Sequence, residues 1–156
     1  MLSNHKKMKR QSGSARIREK NTGERKMKNI HVSAAIIQKE NEFLVTQRGY
    51  GEFKDYWEFP GGKIEPGETK EEALIREIRE ELKANIRIDS FLIQVNYTYP
   101  NFHLTMECFL CHLEKEEVTL VEAENAKYVT LGEMDGIDFL PADVIAVEAL
   151  RKKFLS

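Results

Sequence analysis

The spacing of apolar positions predicts a β-hairpin early in the chain. Residues 30–38 (IHVSAAIIQ) form a largely apolar strand, and residues 39–42 (KENE) form a polar turn. Residues 43–48 (FLVTQR) then return as the second strand. The following loop, residues 49–56, carries two glycines and three aromatics. Two roles are open for those aromatics, either closing over a nucleotide base or packing down on the sheet.

Further strands are predicted in the second half of the chain. Residues 86–99 (IRIDSFLIQVNYTY) alternate well enough for a long strand, and residues 103–114 are its antiparallel partner. Shorter strands are expected at residues 118–121 and 126–131.

A helix is predicted between these two groups of strands. Thr69 is a suitable N-cap, and Glu72 three residues later completes a capping box. From there to about Leu82 every residue favours helix, without Gly or Pro. Ile75, Ile78 and Leu82 fall on one apolar arc. This helix therefore has one face that can pack on a core.

A second helix closes the chain. Pro141 suits its first turn, and a helical apolar face runs from there to the end through Val144, Ile145, Val147, Ala149, Leu150 and Phe154. The order is strands, helix, strands, helix, without internal repeats. It predicts an α+β fold in which the helices cover a mostly antiparallel sheet.

Charge divides the chain into two parts. Residues 1–28 hold ten Lys or Arg and two Glu, a net charge of +8, whereas the remainder carries −10. The first part lacks aromatics and a helical apolar stripe, so we predict a disordered tail at 1–28 and one domain at 29–156. The tail could contact nucleic acid weakly, and Met27 could itself be the natural start.

Composition and cysteine usage favour a cytoplasmic protein. Hydrophobic residues make up 41% of the chain, which suits one domain with a real core, and no apolar run approaches the roughly 18 residues of a membrane span. Cys108 and Cys111 lie on a predicted strand, where residues three apart point to opposite faces. Buried reduced thiols are therefore favoured over a zinc or redox pair.

Candidate chemistry begins where a glycine pair meets the first helix. Gly61 and Gly62 follow a strand-like WEFP segment and let the backbone approach a ligand closely. Three carboxylates share one narrow arc of the helix, namely Glu77, Glu80 and Glu81. Converging carboxylates raise one another's pKa, and a divalent cation relieves their repulsion. The alternative interpretation is a solvated acidic face.

These residues resemble the Nudix box. Gly62 is followed by five residues and Glu68, then by seven residues and the run REIREE at 76–81. The segment WEFPGGKIEPGE at 57–68 is similar to the MutT-like branch of that family. Where the family usually has Gly the chain has Lys83, so we expect the helix to run on and Asn85 to take the left-handed cap.

The resemblance implies both a fold and an activity. The fold would be a Nudix α/β/α sandwich with a mixed, mostly antiparallel sheet. The activity would be hydrolysis of a nucleoside triphosphate, by attack of water on phosphorus, to nucleoside monophosphate and pyrophosphate. The substrate would be a modified or non-standard nucleotide, as in nucleotide-pool sanitation.

The resemblance also implies the metal site. The matching positions would bind Mg²⁺, or alternatively Mn²⁺, through the three helix carboxylates and the Gly61 carbonyl. Glu77 or Glu81 would also orient or deprotonate the water. Arg76 and Glu68 are expected to join loop and helix by a salt bridge. Glu122, with Glu124 as second choice, lies where MutT-like proteins supply a further carboxylate, although a plain surface turn is equally compatible.

The nucleoside pocket implied by the family is formed by Arg48, Phe59, Tyr99, Phe102 and Asp143, with Lys63 available to a phosphate. A carboxylate at Asp143 accepts hydrogen bonds and so favours an exocyclic amine such as cytosine N4. This leans toward the branch that resembles CTP pyrophosphohydrolases, with 8-oxo-dGTP as the other candidate.

Three other functions stay open at this point. The chain could be a Nudix-fold module that binds a nucleotide or partner without turnover. It could hydrolyse sugar nucleotides or dinucleotides instead of triphosphates. It could act as a polyanion-binding protein through residues 1–28. We expect a monomer or homodimer.

Overall fold

The structure is a computed structural model and describes residues 27–155. The predicted tail, residues 1–28, lies outside this range apart from its last two residues. The elements, in chain order, are β1 (Lys28–Lys39), β2 (Glu42–Gln47), β3 (Trp57–Glu58), β4 (Gly61–Lys63), α1 (Lys70–Leu82), β5 (Ile86–Thr98), β6 (Phe102–Leu113), β7 (Asn125–Thr130), a 3-10 turn (Glu133–Gly136) and α2 (Pro141–Leu155).

The strands form one seven-stranded sheet around β1. Its main order is β3-β2-β1-β6-β5, with β4 also paired to β1 and β7 to β2. Only β1 and β6 run parallel among the described strands, pairing from Lys28 with Phe102 to Ile37 with Cys111. The β1–β2 and β5–β6 hairpins are antiparallel, as are the remaining pairs. The predicted mixed, mostly antiparallel sheet is therefore confirmed.

The two helices cover opposite faces of this sheet. Ala35 and Ile37 of β1 pack with buried residues of α1, while Ala34 and Ile36 pack in the cluster that holds the buried residues of α2. This alternation follows from the two-residue period of a strand. The result is the expected α/β/α sandwich.

The cysteines behave as the strand period predicts. Cys108 belongs to the core on the α2 side and Cys111 to the core on the α1 side. Both are buried free thiols, and burial raises the pKa of each above its usual value. The described helices are all too short or too polar to cross a membrane.

A buried carboxylate fixes the start of α1, and the sequence patterns did not reveal it. Glu107 on β6 is 2% exposed and lies 2.7 Å from the His31 ring. It also accepts a hydrogen bond from Gln94 and lies 3.8 Å from the Lys70 ammonium. Ser33 donates to the Lys70 carbonyl at 2.8 Å. The first residue of α1 is thus tied to two central strands.

The predicted capping box is present, but the predicted end of α1 was wrong. Thr69 and Glu72 exchange the two expected hydrogen bonds. Lys83, not Asn85, takes the left-handed conformation, with φ 50° and ψ 43°. Its N–H reaches the Arg79 carbonyl, so the helix stops here even without glycine. Asn85 instead accepts a hydrogen bond from the Arg79 side chain.

The strand predicted at residues 118–121 is also absent. This segment is irregular and runs past the end of α1. Thr119 donates to the Leu82 carbonyl at 2.8 Å and Val121 to the Glu81 carbonyl at 3.1 Å. Its backbone donors satisfy helix carbonyls that have no partner inside the helix, so they are not available to a sheet.

Replacing Lys83 by glycine should stabilise the protein. A side chain in the left-handed region costs about 1–2 kcal/mol, whereas glycine adopts it freely but loses more entropy on folding. We expect Lys83→Gly to raise the free energy of unfolding by about 0.5–1 kcal/mol, measured by urea denaturation. Lys83→Ala keeps the strain and serves as the control. Equal stability of the two variants would contradict this account of the helix end.

Candidate active site

A cavity of about 330 Å³ opens beside β1 and the glycine pair. The six residues proposed for the nucleoside and phosphate all line it, namely Arg48, Phe59, Lys63, Tyr99, Phe102 and Asp143. Gly61 and Gly62 line it as well. The structure therefore brings together residues from four separate parts of the sequence.

Aromatic rings form one wall of the cavity. Tyr99 and Phe102, on either side of the β5–β6 turn, stack with ring centroids 4.9 Å apart. Phe53 from the loop at 49–56 packs on Tyr99 at 5.4 Å. Tyr56 from the same loop is 43% exposed. The aromatic loop thus divides its rings between the cavity and solvent, and the wall offers faces for stacking with a base.

Arg48 is held by Glu58, a residue that the sequence analysis did not single out. Two guanidinium nitrogens of Arg48 donate to the two Glu58 oxygens at 2.8 and 3.1 Å. Burial lowers the pKa of Arg48, but the hydrogen bond and charge of Glu58 outweigh this and raise it. One feature of the sequence could have identified Glu58, namely its position as a charged residue between two aromatic residues, Trp57 and Phe59, which are both buried. Glu58 also lines the cavity.

Asp143 lies in the first turn of α2 and is 3% exposed. One of its oxygens accepts a hydrogen bond from the Phe59 backbone N–H at 3.0 Å. Burial, with the nearby charge of Glu58, raises the pKa of Asp143 to about 8. At pH 7 the neutral acid therefore predominates, and it can donate a hydrogen bond as well as accept one. Asp143 thus has two protonation states near neutral pH, and only the ionised one is restricted to accepting.

The glycine pair is pressed between β1 and α1. A Cβ on Gly61 would lie 2.0 Å from the Ser33 carbonyl oxygen, and one on Gly62 would lie 2.3 Å from the Glu77 carboxylate. A side chain at residue 61 would therefore clash with the β1 backbone, and one at residue 62 would displace the Glu77 carboxylate. Glu77 itself is 5% exposed, and burial raises its pKa.

Acidic side chains gather next to Gly62. Burial and then the charges of Glu77, Glu58 and Glu122 raise the pKa of Glu81 to about 8. Glu80 stays exposed and accepts a hydrogen bond from Arg76 at 3.1 Å. The three helix carboxylates thus differ in burial, although they share one arc.

Glu122 reaches this group because its loop is tied to α1. The Val121 N–H donates to the Glu81 carbonyl, and the Tyr50 hydroxyl donates to a Glu122 oxygen at 3.1 Å. Glu124, the second choice, lies 3.6 Å from the Lys54 ammonium instead. Of the two, Glu122 is the one whose charge acts on Glu81.

Arg76 and Glu68 join loop and helix, as expected. Arg76 donates to both Glu68 oxygens at 2.6 and 2.9 Å and to the Lys63 carbonyl at 2.9 Å. The same guanidinium lies 3.3 Å from Glu77. Arg76 therefore acts by positioning the glycine loop and the helix carboxylates.

The donor set fits a divalent cation by its chemistry. Within residues 27–155 no three His, Cys, Asp or Glu side chains form a finished metal site. The nearby groups are nevertheless hard oxygen donors, and burial, together with repulsion from neighbouring carboxylates, raises the pKa of Glu81. A bound cation would remove that repulsion.

Comparison with known proteins adds independent information. The family model described as NUDIX domain matches residues 27–151. The chain is 31% identical over 128 residues to an 8-oxo-dGTP diphosphatase of Escherichia coli (strain K12), covering 81% of this chain and 99% of that protein. It is 42% identical over 67 residues to a CTP pyrophosphohydrolase of the same organism, covering 42% and 50% respectively.

A solved structure agrees with the fold. The MutT protein from Methanosarcina mazei Go1 superposes with a TM-score of 0.73 at 25% identity. The match covers 83% of this chain and 99% of that one.

Charge at Glu81 should destabilise the metal-free protein. Its folded-state pKa of about 8 exceeds the usual value, so its contribution to stability is full below about pH 4.5 and is lost as pH rises through about 8. In EDTA, Glu81→Gln should therefore be more stable than the wild type by on the order of 1 kcal/mol at pH 8–9.

The same comparison should show no gain at pH 5, where both side chains are neutral. The measurement is urea unfolding at pH 5 to 9. Glu148→Gln, at an exposed site on α2, is the matched control. Parallel pH curves for wild type and Glu81→Gln would show that Glu81 is not held in this acidic environment.

Proposed function

Because this chain belongs to the Nudix family, we propose that it hydrolyses (deoxy)nucleoside triphosphates to nucleoside monophosphate and pyrophosphate. The proposed substrates are modified or non-standard nucleotides, with a cytosine-type or 8-oxoguanine base. The family relatives named as 8-oxo-dGTP diphosphatase and CTP pyrophosphohydrolase support this class of substrate.

One observation carries the proposal. Gly61 and Gly62 line the aromatic cavity, and Gly62 also abuts the Glu77 carboxylate. A nucleoside stacked on Tyr99 and Phe102 would therefore extend its phosphates over the glycines toward the carboxylates of α1. Lys63 lines the same side and could contact a phosphate oxygen.

Mg²⁺ is the proposed cofactor, and Mn²⁺ is the alternative. Glu77, Glu80 and Glu81 would hold it together with the Gly61 carbonyl, since Mg²⁺ prefers oxygen ligands and substrate phosphates. When bound, the metal neutralises the charge that develops on the phosphate oxygens. Glu80 would have to leave Arg76 to take part, and its exposure permits that movement.

The carboxylates would also manage the attacking water. Its oxygen forms a bond to phosphorus as the bond to the pyrophosphate oxygen breaks, and its proton passes to a glutamate. Glu122 is the candidate that orients the water, with Glu77 and Glu81 as the other candidate bases. Burial raises the pKa of Glu77 and Glu81, and a base whose pKa lies near neutral pH is effective at pH 7.

Base selection is assigned to Asp143 and the rings beside it. The neutral acid at pH 7 can donate to a base oxygen, and the ionised form above pH 8 can only accept from an exocyclic amine. Arg48 is already paired with Glu58 and so presents less of its guanidinium to the base. Both candidate bases are therefore compatible with Asp143, and substitution can separate them.

Pyrophosphate release with Mg²⁺ should be measured over dCTP, CTP, 5-methyl-dCTP, dGTP and 8-oxo-dGTP. Asp143→Asn keeps one donor and one acceptor at every pH. If Asp143 reads the base, this variant should change the ratio of kcat/KM between cytosine and guanine nucleotides by about tenfold or more at pH 9, where the wild-type side chain is ionised and only accepts, and should change it little at pH 6. It should also abolish any pH dependence of that ratio around pH 8.

The exposed Asp138, changed to Asn, is the matched control and should preserve the ratio. A ratio unchanged in Asp143→Asn would remove Asp143 from base recognition without affecting the reaction. Glu81→Gln should reduce kcat by about a hundredfold or more. Tight nucleotide binding without turnover in the wild type would instead indicate a binding module.

A further inference from the structure

We propose that Tyr50 is a positioning residue that orients the Glu122 carboxylate and links it to the nucleotide cavity. The inference rests on the proposed function, because it assigns Tyr50 a role only if Glu122 takes part in hydrolysis. Tyr50 is not one of the residues that the Nudix resemblance selected.

The first observation is that Tyr50 contacts both the cavity and Glu122. Its ring lines the cavity, and its hydroxyl donates to a Glu122 oxygen at 3.1 Å. The two residues lie on different loops, one after β2 and the other before β7. A single side chain therefore joins the proposed nucleoside site to the proposed catalytic carboxylate.

The second observation is that the Glu122 backbone is fixed while its side chain is exposed. The Val121 N–H bonds to the Glu81 carbonyl. On the other side, a Cβ on Gly49 would already lie 3.1 Å from the Glu122 carbonyl oxygen, so the two loops are in close contact. The hydrogen bond from Tyr50 then sets the direction of an otherwise mobile carboxylate.

The phenol suits this task chemically. Burial, with the charge of Glu122, keeps the pKa of Tyr50 above its usual value, so the hydroxyl remains a donor across the physiological range. It holds one carboxylate oxygen and leaves the other to a water molecule. Unlike an Arg or Lys partner, it brings no full positive charge next to the Glu122 carboxylate.

The loop that carries Tyr50 rests on the aromatic wall. Phe53, three residues later, packs on Tyr99, which stacks in turn on Phe102. A base stacked on this aromatic wall would contact the loop, and the loop position sets the Tyr50 hydroxyl. Occupancy of the cavity and orientation of Glu122 are therefore coupled through Tyr50.

The test compares Tyr50→Phe with Tyr56→Phe, which removes a hydroxyl from an exposed ring of the same loop. Tyr50→Phe keeps the ring in the cavity and should lower kcat about five- to tenfold, since it removes one hydrogen bond to a charged group, with KM changed less than about twofold. Tyr56→Phe should leave both unchanged. Adding Tyr50→Phe to Glu122→Gln should have little further effect on kcat.

A second measurement is independent of turnover and metal. The ¹³C carboxyl signal of Glu122 is assigned in metal-free protein by its loss in Glu122→Gln. It should shift in Tyr50→Phe and stay in place in Tyr56→Phe. An unmoved signal, or a kcat within twofold of the wild type, would overturn the inference. An equal loss through KM, together with a lower Tm, would also overturn it by indicating a packing role.

The proposed role of Glu122 in the reaction and the proposed role of Tyr50 can be rejected separately. A fully active Glu122→Gln removes Glu122 from the reaction and with it the reason for Tyr50. An impaired Glu122→Gln beside a normal Tyr50→Phe leaves the proposed reaction intact and rejects only the role of Tyr50.

Discussion

Gly61 and Gly62 allow the sheet and helix α1 to approach each other closely, and the geometry of the rest of the site depends on this contact. A single carbon at either position would enter the backbone of β1 or the carboxylate of Glu77. This contact lets β4, which pairs with the central strand in the sheet, lie close against α1, so the glycine backbone lines the cavity and also abuts the Glu77 carboxylate. Arg76 then fixes the distance by bonding to the Lys63 carbonyl and to Glu68. The acidic helix is therefore placed by packing, and its electrostatics are a consequence of that placement.

The site combines unfavourable charge with a well-packed frame. Burial and the charges of Glu77, Glu58 and Glu122 raise the pKa of Glu81. Arg48 pairs with Glu58, and Arg76 pairs with Glu68 and lies 3.3 Å from Glu77, so the nearby cations offset the acidic charge only in part. Such an arrangement costs stability in the absence of a cation. The core on both faces of the sheet tolerates this cost, because buried apolar side chains dominate folding free energy. Perturbed carboxylates at a cavity are a common mark of function.

Sequence patterns predicted the helices and strands correctly where a regular spacing of apolar residues extended over one continuous segment. Helix α1 and its capping box, the two hairpins and the opposite faces of Cys108 and Cys111 all follow from spacing within one segment. The family resemblance pointed to residues that the fold brings together, including Asp143 and Phe59. The patterns failed where long-range contacts decide. The segment near Val121 bonds to a helix end, Glu107 is buried by distant partners, and Glu58 finds its role only beside Arg48.

The parallel pairing of β1 with β6 has a consequence for how the protein is made. Lys28 pairs with Phe102 and Ile37 with Cys111, so the second edge of the central strand is covered only after most of the chain exists. Contacts between residues so far apart in sequence slow folding and require closure of a large loop. On the ribosome, the hairpin of β1 and β2 and helix α1 would emerge with their apolar faces uncovered. The first half of the domain would therefore stay incompletely packed until β6 has been synthesised.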